Sequence, residues 1–257
     1  MGPVNATARV LILGGTTEAR SLAELLLGHP DVDVVTSLAG RVASPRMPAG
    51  QGRVGGFGGA AGLASWIEAH GIRAVIDATH PFAATISFNA ADAAATCHVP
   101  LLALRRPAWV PGEGDQWHPA DSLEDAAQML PPLGRRHFLT IGRQDVSSFA
   151  DVTGSWFLIR CIDPPEEPKP AQMELLLDRG PYSLEAEIAL MHGRRVDTLI
   201  TKNSGGQATV AKLAAARALG LPVVMVQRPA VPVGVPEVAD VKSAVEWLET
   251  RIRPRSC

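Results

Sequence analysis

The sequence predicts an α/β protein of mainly parallel sheets with helices on both faces. Three observations carry this. Short β-branched and Leu-rich runs alternate with runs of helical length along the chain. The strand-like runs are continuously apolar, as in strands buried on both sides. Glycine-rich polar turns follow them, as where a strand hands over to a helix. At 257 residues the chain is expected to form two modest domains, because cores stop growing near about 250 residues.

Arg9–Leu13 reads as a strand, Thr17–Leu27 as a helix with Leu22, Leu25 and Leu26 on one face, and Val32–Ser37 as a second strand. "GRVGGFGGAAG" makes a short strand and a glycine turn, and Leu63–His70 a helix stopped by Gly71. Ala74–Ala78 is a buried-type strand, "HPFAATISFNAADAAATCH" an Ala-rich helix and Leu101–Leu104 a further strand. Between Pro107 and Ser122, "PAWVPGEGDQWHPADS" has neither periodicity, which places a domain boundary there and predicts domains over 1–110 and 111–257. The second half resumes with helix Leu123–Leu130, strands His137–Ile141 and Trp156–Ile162, and helix Leu184–His192. Strand Thr198–Thr201, helix Thr209–Leu219, strand Val223–Val226 and helix Ser243–Arg251 complete it.

A formal net charge of −2 and a 46% hydrophobic composition argue against disorder and against nucleic acid as partner. A small molecule is expected instead. Cys97, Cys161 and Cys257 show no CxxC spacing, which suits reduced thiols rather than a disulfide frame or metal site. No apolar segment approaches the roughly 20 residues that span a bilayer, and MGPVNATARV is not a signal sequence. The expectation is a cytoplasmic protein with no membrane contact, monomeric or weakly dimeric.

Ligands of parallel sheets collect at the carboxyl ends of the strands. After the first strand, Gly14 and Gly15 allow close backbone approach, Thr16 or Thr17 caps the helix, and the exposed helix N–H groups suit a phosphate. After the second, "SLAGRVASPR" has no acidic residue for ribose hydroxyls but offers Ser37, Arg41, Ser44 and Arg46, which favours NADPH over NADH. In "IDATHPFA", His80 or Thr79 can cap a helix whose first turn holds Pro81. Thr79 and His80 then face the nicotinamide, with His80 a candidate proton donor. "LTIGRQD" and "LITKNSGG" end strands of the second half with Arg143, Asp145 and Ser148, and with Lys202, Asn203, Ser204, Gly205 and Gly206. Arg105, Arg106 and Arg228 close further strands, so cations at several strand ends describe a cleft for a ligand with several carboxylates. Walker, G-x-S-x-G and H-E-x-x-H motifs are absent, and Tyr182 lacks the lysine of a Tyr-x-x-x-Lys pair. The chemistry is therefore expected to be cofactor-borne.

In this order, "GGTTEAR", "SLAGR", "GGFGG", "DATHPFA", "LRRP" and "TKNSGG" closely resemble the precorrin-6A reductase family of cobalamin biosynthesis, over nearly the whole chain. The resemblance implies hydride transfer from NADPH to one double bond of a tetrapyrrole macrocycle, without flavin or metal. It also implies two Rossmann-like domains with a ligand cleft between them. Carried over, Gly14, Gly15, Thr16, Thr17 and Arg20 hold the pyrophosphate region, Ser37 and Arg41 the 2′-phosphate, and Thr79, Pro81 and Phe82 border the nicotinamide. Arg143, Asp145, Ser148, Lys202, Ser204 and Gly205 contact the macrocycle. His80, Asp145, Lys202 and bulk water stay open as the proton source.

Overall fold

A computed structural model describes residues 7–40 and 46–252 of the chain. Arg41 and Ser44 lie outside the described residues. In chain order the elements begin β1 (Ala8–Leu13), α1 (Thr17–Leu26), β2 (Val32–Leu38), β3 (Gln51–Val54), α2 (Gly59–Ala69), β4 (Ile72–Asp77), α3 (Ala84–Thr96) and β5 (Leu101–Leu104). There follow β6 (Gln116–Ala120), α4 (Leu123–Gln128), β7 (Arg136–Thr140), β8 (Trp156–Cys161), β9 (Met173–Leu177), α5 (Leu184–Gly193) and β10 (Thr198–Lys202). The series closes with α6 (Ala211–Ala218), β11 (Pro222–Val226), β12 (Glu237–Val238) and α7 (Val241–Ile252).

Two six-stranded sheets result, ordered β12-β5-β4-β1-β2-β3 and β6-β11-β10-β7-β8-β9. Every strand pairing is parallel. Within each sheet, five strands consecutive along the chain take the spatial order 3-2-1-4-5. The sixth places are exchanged: β6, next after β5, joins the second sheet, while β12, next after β11, joins the first. The order reverses between β1 and β4 in one sheet and between β7 and β10 in the other. Such a reversal opens a crevice at the carboxyl ends of the two strands.

The chain divides into two compact units, one from the described parts of Met1–Pro107 and Pro229–Cys257 and one from Ala108–Arg228. In the first, alternate residues of β1 feed opposite faces, as a two-residue repeat requires. Val10 and Ile12 pack with Leu22 and Leu26 of α1 and with Ala244 and Leu248 of α7. Leu11 and Leu13 pack with Leu63 and Ile67 of α2 and with Ala90 and Ala94 of α3. In the second unit, Phe138, Leu158, Leu199 and Met225 form a core with Met191 of α5 and Leu213 of α6.

Four expectations need correction. Residues after Arg228 do not belong with the second half: β12 bonds to β5 through Ala103 N–H to Pro236 O and Arg105 N–H to Val238 O, both 2.9 Å. The boundary segment contains β6, whose QWHPA lacks the alternation of a strand signal, and β9 is a further strand beyond those the sequence predicts. The helix expected from His80 begins only at Ala84, because His80–Ala83 closes a turn of its own with Ala83 N–H donating to His80 O at 2.7 Å. Thr79 and His80 are therefore not helix caps, and Pro81 is not in a helical first turn. Thr209 ends a short 3₁₀ turn, Gln207–Thr209, ahead of α6.

Candidate functional site

At the reversal point of the first sheet, the turns after β1 and β4 are joined. The Thr16 hydroxyl accepts from Ala19 N–H at 3.1 Å, which makes Thr16 rather than Thr17 the cap of α1, and donates to Ala78 O at 2.8 Å. Ala78 N–H in turn donates to Leu13 O at 2.9 Å. Gly15 has φ +124°, a conformation open to glycine, and a Cβ built there would meet nothing within 4 Å. Exposed backbone therefore leads into the free N–H groups of α1, the arrangement that receives a phosphate. Glu18 stands in that first turn and would repel an anion, but Arg106 Nη1 neutralises it at 2.8 Å. Arg20 reaches back to Thr17 Oγ1 at 3.1 Å.

Behind the second turn, Asp77 organises the loop. Its Oδ1 accepts from Thr79 N–H at 3.1 Å and Thr79 Oγ1 at 2.6 Å, and its Oδ2 from Ser87 Oγ at 2.6 Å. Arg105 donates to Ser87 Oγ at 3.1 Å and lies 3.6 Å from Asp77 and 3.8 Å from Glu237. Arg105 is buried, and these contacts make it a brace of the loop as well as part of the lining of a small pocket with Asp77, Ser87 and Glu237. The loop holds Phe82 N–H toward His80 Nδ1 at 3.3 Å, which puts the proton of a neutral ring on Nε2. His80 itself is exposed and Pro81 buried.

At the end of β2, Ser37 sits in register with Arg53 of β3. Arg53 Nη1 donates to Ser37 Oγ at 2.7 Å and to Gly55 O at 3.0 Å, and Nη2 to Gly56 O at 3.0 Å. The guanidinium lies 4.0 Å from the Phe57 ring centre, and burial lowers its pKa. Arg53 is not among the residues that the turn motifs single out. Its only signal is that a short strand pairing in parallel with β2 puts its third residue beside Ser37.

The second sheet repeats the plan. The turn after β7 is a 3₁₀ segment, Arg143–Phe149, and the turn after β10 runs through Lys202–Gly206. Lys202 Nζ and Asp145 Oδ2 join the two at 2.5 Å. Ser148 instead donates to Glu124 of α4 at 3.0 Å, which ties it into the scaffold. Asn203 accepts from Trp109 N–H at 2.8 Å and donates to Trp109 O at 3.1 Å, and Arg228 Nε donates to Asn203 O at 2.9 Å. Ser204, Gly205 and Gly206 are buried. Cys161, at the end of β8, has its thiol pushed up to about 11 by burial, with Arg143 partly opposing.

Among the described residues no helix is long and apolar enough to cross a membrane. A family model described as precorrin-6x reductase CbiJ/CobK matches residues 9–249. The chain is 56% identical over 245 residues to a protein of Rhodococcus erythropolis named precorrin-6A reductase, covering 95% of this chain and 99% of that one. A protein of the same name from Mycobacterium tuberculosis is 48% identical over 242 residues, covering 93% and 97%. A solved structure titled CobK precorrin-6A reductase superposes with a TM-score of 0.89 at 39% identity, over 95% of this chain and 97% of that one. The paired turns thus sit in a sequence and fold shared from end to end with these proteins, and the chain belongs to the precorrin-6x reductase CbiJ/CobK family.

Proposed function

We infer that the chain is a precorrin-6A reductase of cobalamin biosynthesis, an oxidoreductase that reduces one double bond of the macrocycle to give precorrin-6B. The observation that carries the reading is the double reversal point: in each sheet the two turns flanking the crevice are tied together, by Thr16 to Ala78 and by Lys202 to Asp145. Family membership implies a nicotinamide cofactor. The first unit fits one: the open backbone at Gly15 leaves room for a pyrophosphate, and Thr36, whose methyl group packs against Gly14, has a buried hydroxyl without a partner among the described residues.

NADPH is the form favoured here. Ser37 stands at the end of β2 beside Arg53, where an NADH site would put a carboxylate. Gly14, Gly15, Thr16, Thr17 and Arg20 would hold the pyrophosphate, and Thr79, Pro81 and Phe82 would border the nicotinamide. The bound cofactor supplies the hydride. The protein's part is to hold donor and acceptor carbons about 3–3.5 Å apart and to exclude water. Arg143, Ser204 and Gly205 would contact the macrocycle. Lys202, oriented by Asp145, is the best-placed group to hold the proton that accompanies hydride; His80, exposed and with Nε2 protonated, is the alternative.

Anaerobic mixing of the purified protein with NADPH and precorrin-6A tests the reading. The expected result is cofactor oxidation in step with the spectral change of the pigment, and slower turnover with NADH. Binding of NADPH without turnover would sink it.

A further inference from the structure

The second unit buries three charged side chains that act on one another electrostatically. Arg160 of β8 and Glu187 of α5 form a two-pronged ion pair, Nη1 to Oε1 and Nη2 to Oε2, the latter at 3.2 Å. The guanidinium lies 3.6 Å from the Tyr182 ring centre. The third is Lys212, in the first turn of α6 and 4% exposed. One carboxylate cannot balance two cations, and both oxygens of Glu187 already serve Arg160. Among the described residues Lys212 has neither a hydrogen-bond acceptor nor a carboxylate at ion-pair distance; its Nζ lies 5.5 Å from the centre of the Trp109 ring. The Trp109 indole N–H is itself buried and without an acceptor among the described residues.

A buried cation without a counter-charge is costly, and the positive end of a helix adds to the cost. Burial, and then Arg160, pull the Lys212 ammonium down to about 7, with Glu187 partly opposing. Arg160 is the penultimate residue of β8, and Lys212 follows the Lys202–Gly206 turn, so the cluster lies at the carboxyl edge of the sheet. An ammonium over the face of the Trp109 ring and an indole N–H at that ring's edge, neither with an acceptor among the described residues, leave room in the charge balance for one anion at this edge. We propose that Lys212 and the Trp109 indole N–H form a carboxylate-receiving subsite, which takes one acidic side arm of the tetrapyrrole. This rests on the reductase reading, whose substrate bears several acetate and propionate arms. One bound carboxylate brings the cluster to neutrality.

Lys212→Met keeps the stem and removes the ammonium, and Trp109→Phe removes the indole donor. In Lys212→Met the KM for precorrin-6A rises about tenfold or more, as for loss of a charge-assisted hydrogen bond. Its kcat falls far less, and the KM for NADPH stays put. Trp109→Phe shows a smaller rise of the same kind. Without substrate, Lys212→Met melts at or above the wild-type temperature, because a buried uncompensated charge is gone. Uroporphyrin III, a stable octacarboxylate, raises the melting temperature of the wild type more than that of the variant. An unchanged KM in both variants, or a Lys212→Met protein that fails to fold or melts lower with an undiminished uroporphyrin shift, overturns the subsite and makes Lys212 a structural cation. A wild-type protein that does not turn over precorrin-6A yet shows the Lys212-dependent shift overturns the reductase reading instead and supports the subsite.

Discussion

His137 should make the second unit acid-sensitive by an amount that can be worked out in advance. The residue is fully buried in β7, with Nε2 3.2 Å from Ser155 Oγ, while Nδ1 has no partner among the described residues. Burial pulls its pKa from 6.5 to about 4, with Asp197 partly opposing. A lowered histidine pKa means that the folded state resists the proton which the unfolded chain accepts. Its stabilising effect is therefore complete above about pH 6.5 and is lost as pH falls toward about 4. The gap between the two values corresponds to roughly 3 kcal/mol, of which about 2 kcal/mol is lost between about pH 7 and about pH 4.5. Urea unfolding at a series of pH values in a Trp66→Phe, Trp247→Phe background, followed by the fluorescence of the remaining Trp109, Trp117 and Trp156, reads the unit that contains His137. The decline in stability over that range should be smaller by about 2 kcal/mol in His137→Leu than in the wild type. Comparing slopes cancels any pH-independent cost of the substitution and the titration of carboxylates common to both proteins. Parallel slopes would refute the reasoning, because they require His137 to titrate alike in folded and unfolded chains.

Arg53→Gln should raise the KM for NADPH about ten- to hundredfold while leaving that for NADH within a few fold; equal rises would make Arg53 only a brace for the glycine loop at Gly55 and Gly56. Asp77→Ala leaves the buried Arg105 with Glu237, at 3.8 Å, as its remaining carboxylate partner among the described residues, and the expected loss in chemical denaturation is about 3–5 kcal/mol; Asp77→Asn, which keeps the shape, should fall well short of that. Lys202→Met should lower kcat by about two orders of magnitude or more with the KM for NADPH unchanged in steady-state assays, and kcat loss confined to Asp145→Asn would shift the proton-holding role away from Lys202. A chain ending at Arg228 should fail to form a stable first unit by limited proteolysis, since it lacks Ala244 and Leu248 of that core; a protected first unit would contradict the importance of the returning segment.

Periodicity served well where a segment's own residues decide its structure. The runs at Arg9–Leu13, Ala74–Ala78 and Thr198–Thr201 are apolar enough to be strands in any sheet of this kind, and they overlap β1, β4 and β10, with Ala78 one residue past the end of β4. It served badly where tertiary pairing decides. Glu237–Val238 is two residues long and becomes a strand because β5 offers an unpaired edge. Gln116–Ala120 contains Trp117, His118 and Pro119, and is extended through pairing with β11. The turn after β4 was legible as a site but not in its conformation, because the Asp77 carboxylate holds Thr79 in a way that no local cap preference foretells. Arg53, Glu187 and Lys212 were invisible for a related reason. Charged residues in a short strand or on a helix read as solvated, and only packing shows the first half-buried against Phe57 and the other two buried.

The exchanged sixth strands bear on how the site holds together. In each sheet the crevice at the order reversal lies between the first and fourth of five consecutive strands, and the sixth strand joins beyond the fifth, at the edge. The exchange therefore leaves both crevices intact, while each unit depends on a segment that follows or precedes its own run of five. In the first unit that dependence reaches the site directly. Glu237 of β12 lies 3.8 Å from Arg105, Arg105 holds Ser87 and faces Asp77, and Asp77 fixes Thr79 in the turn proposed to border the nicotinamide. A residue encoded after the whole second unit thus helps to set the geometry of a loop encoded before it. This chain of charge contacts gives Arg105 its place at the end of β5.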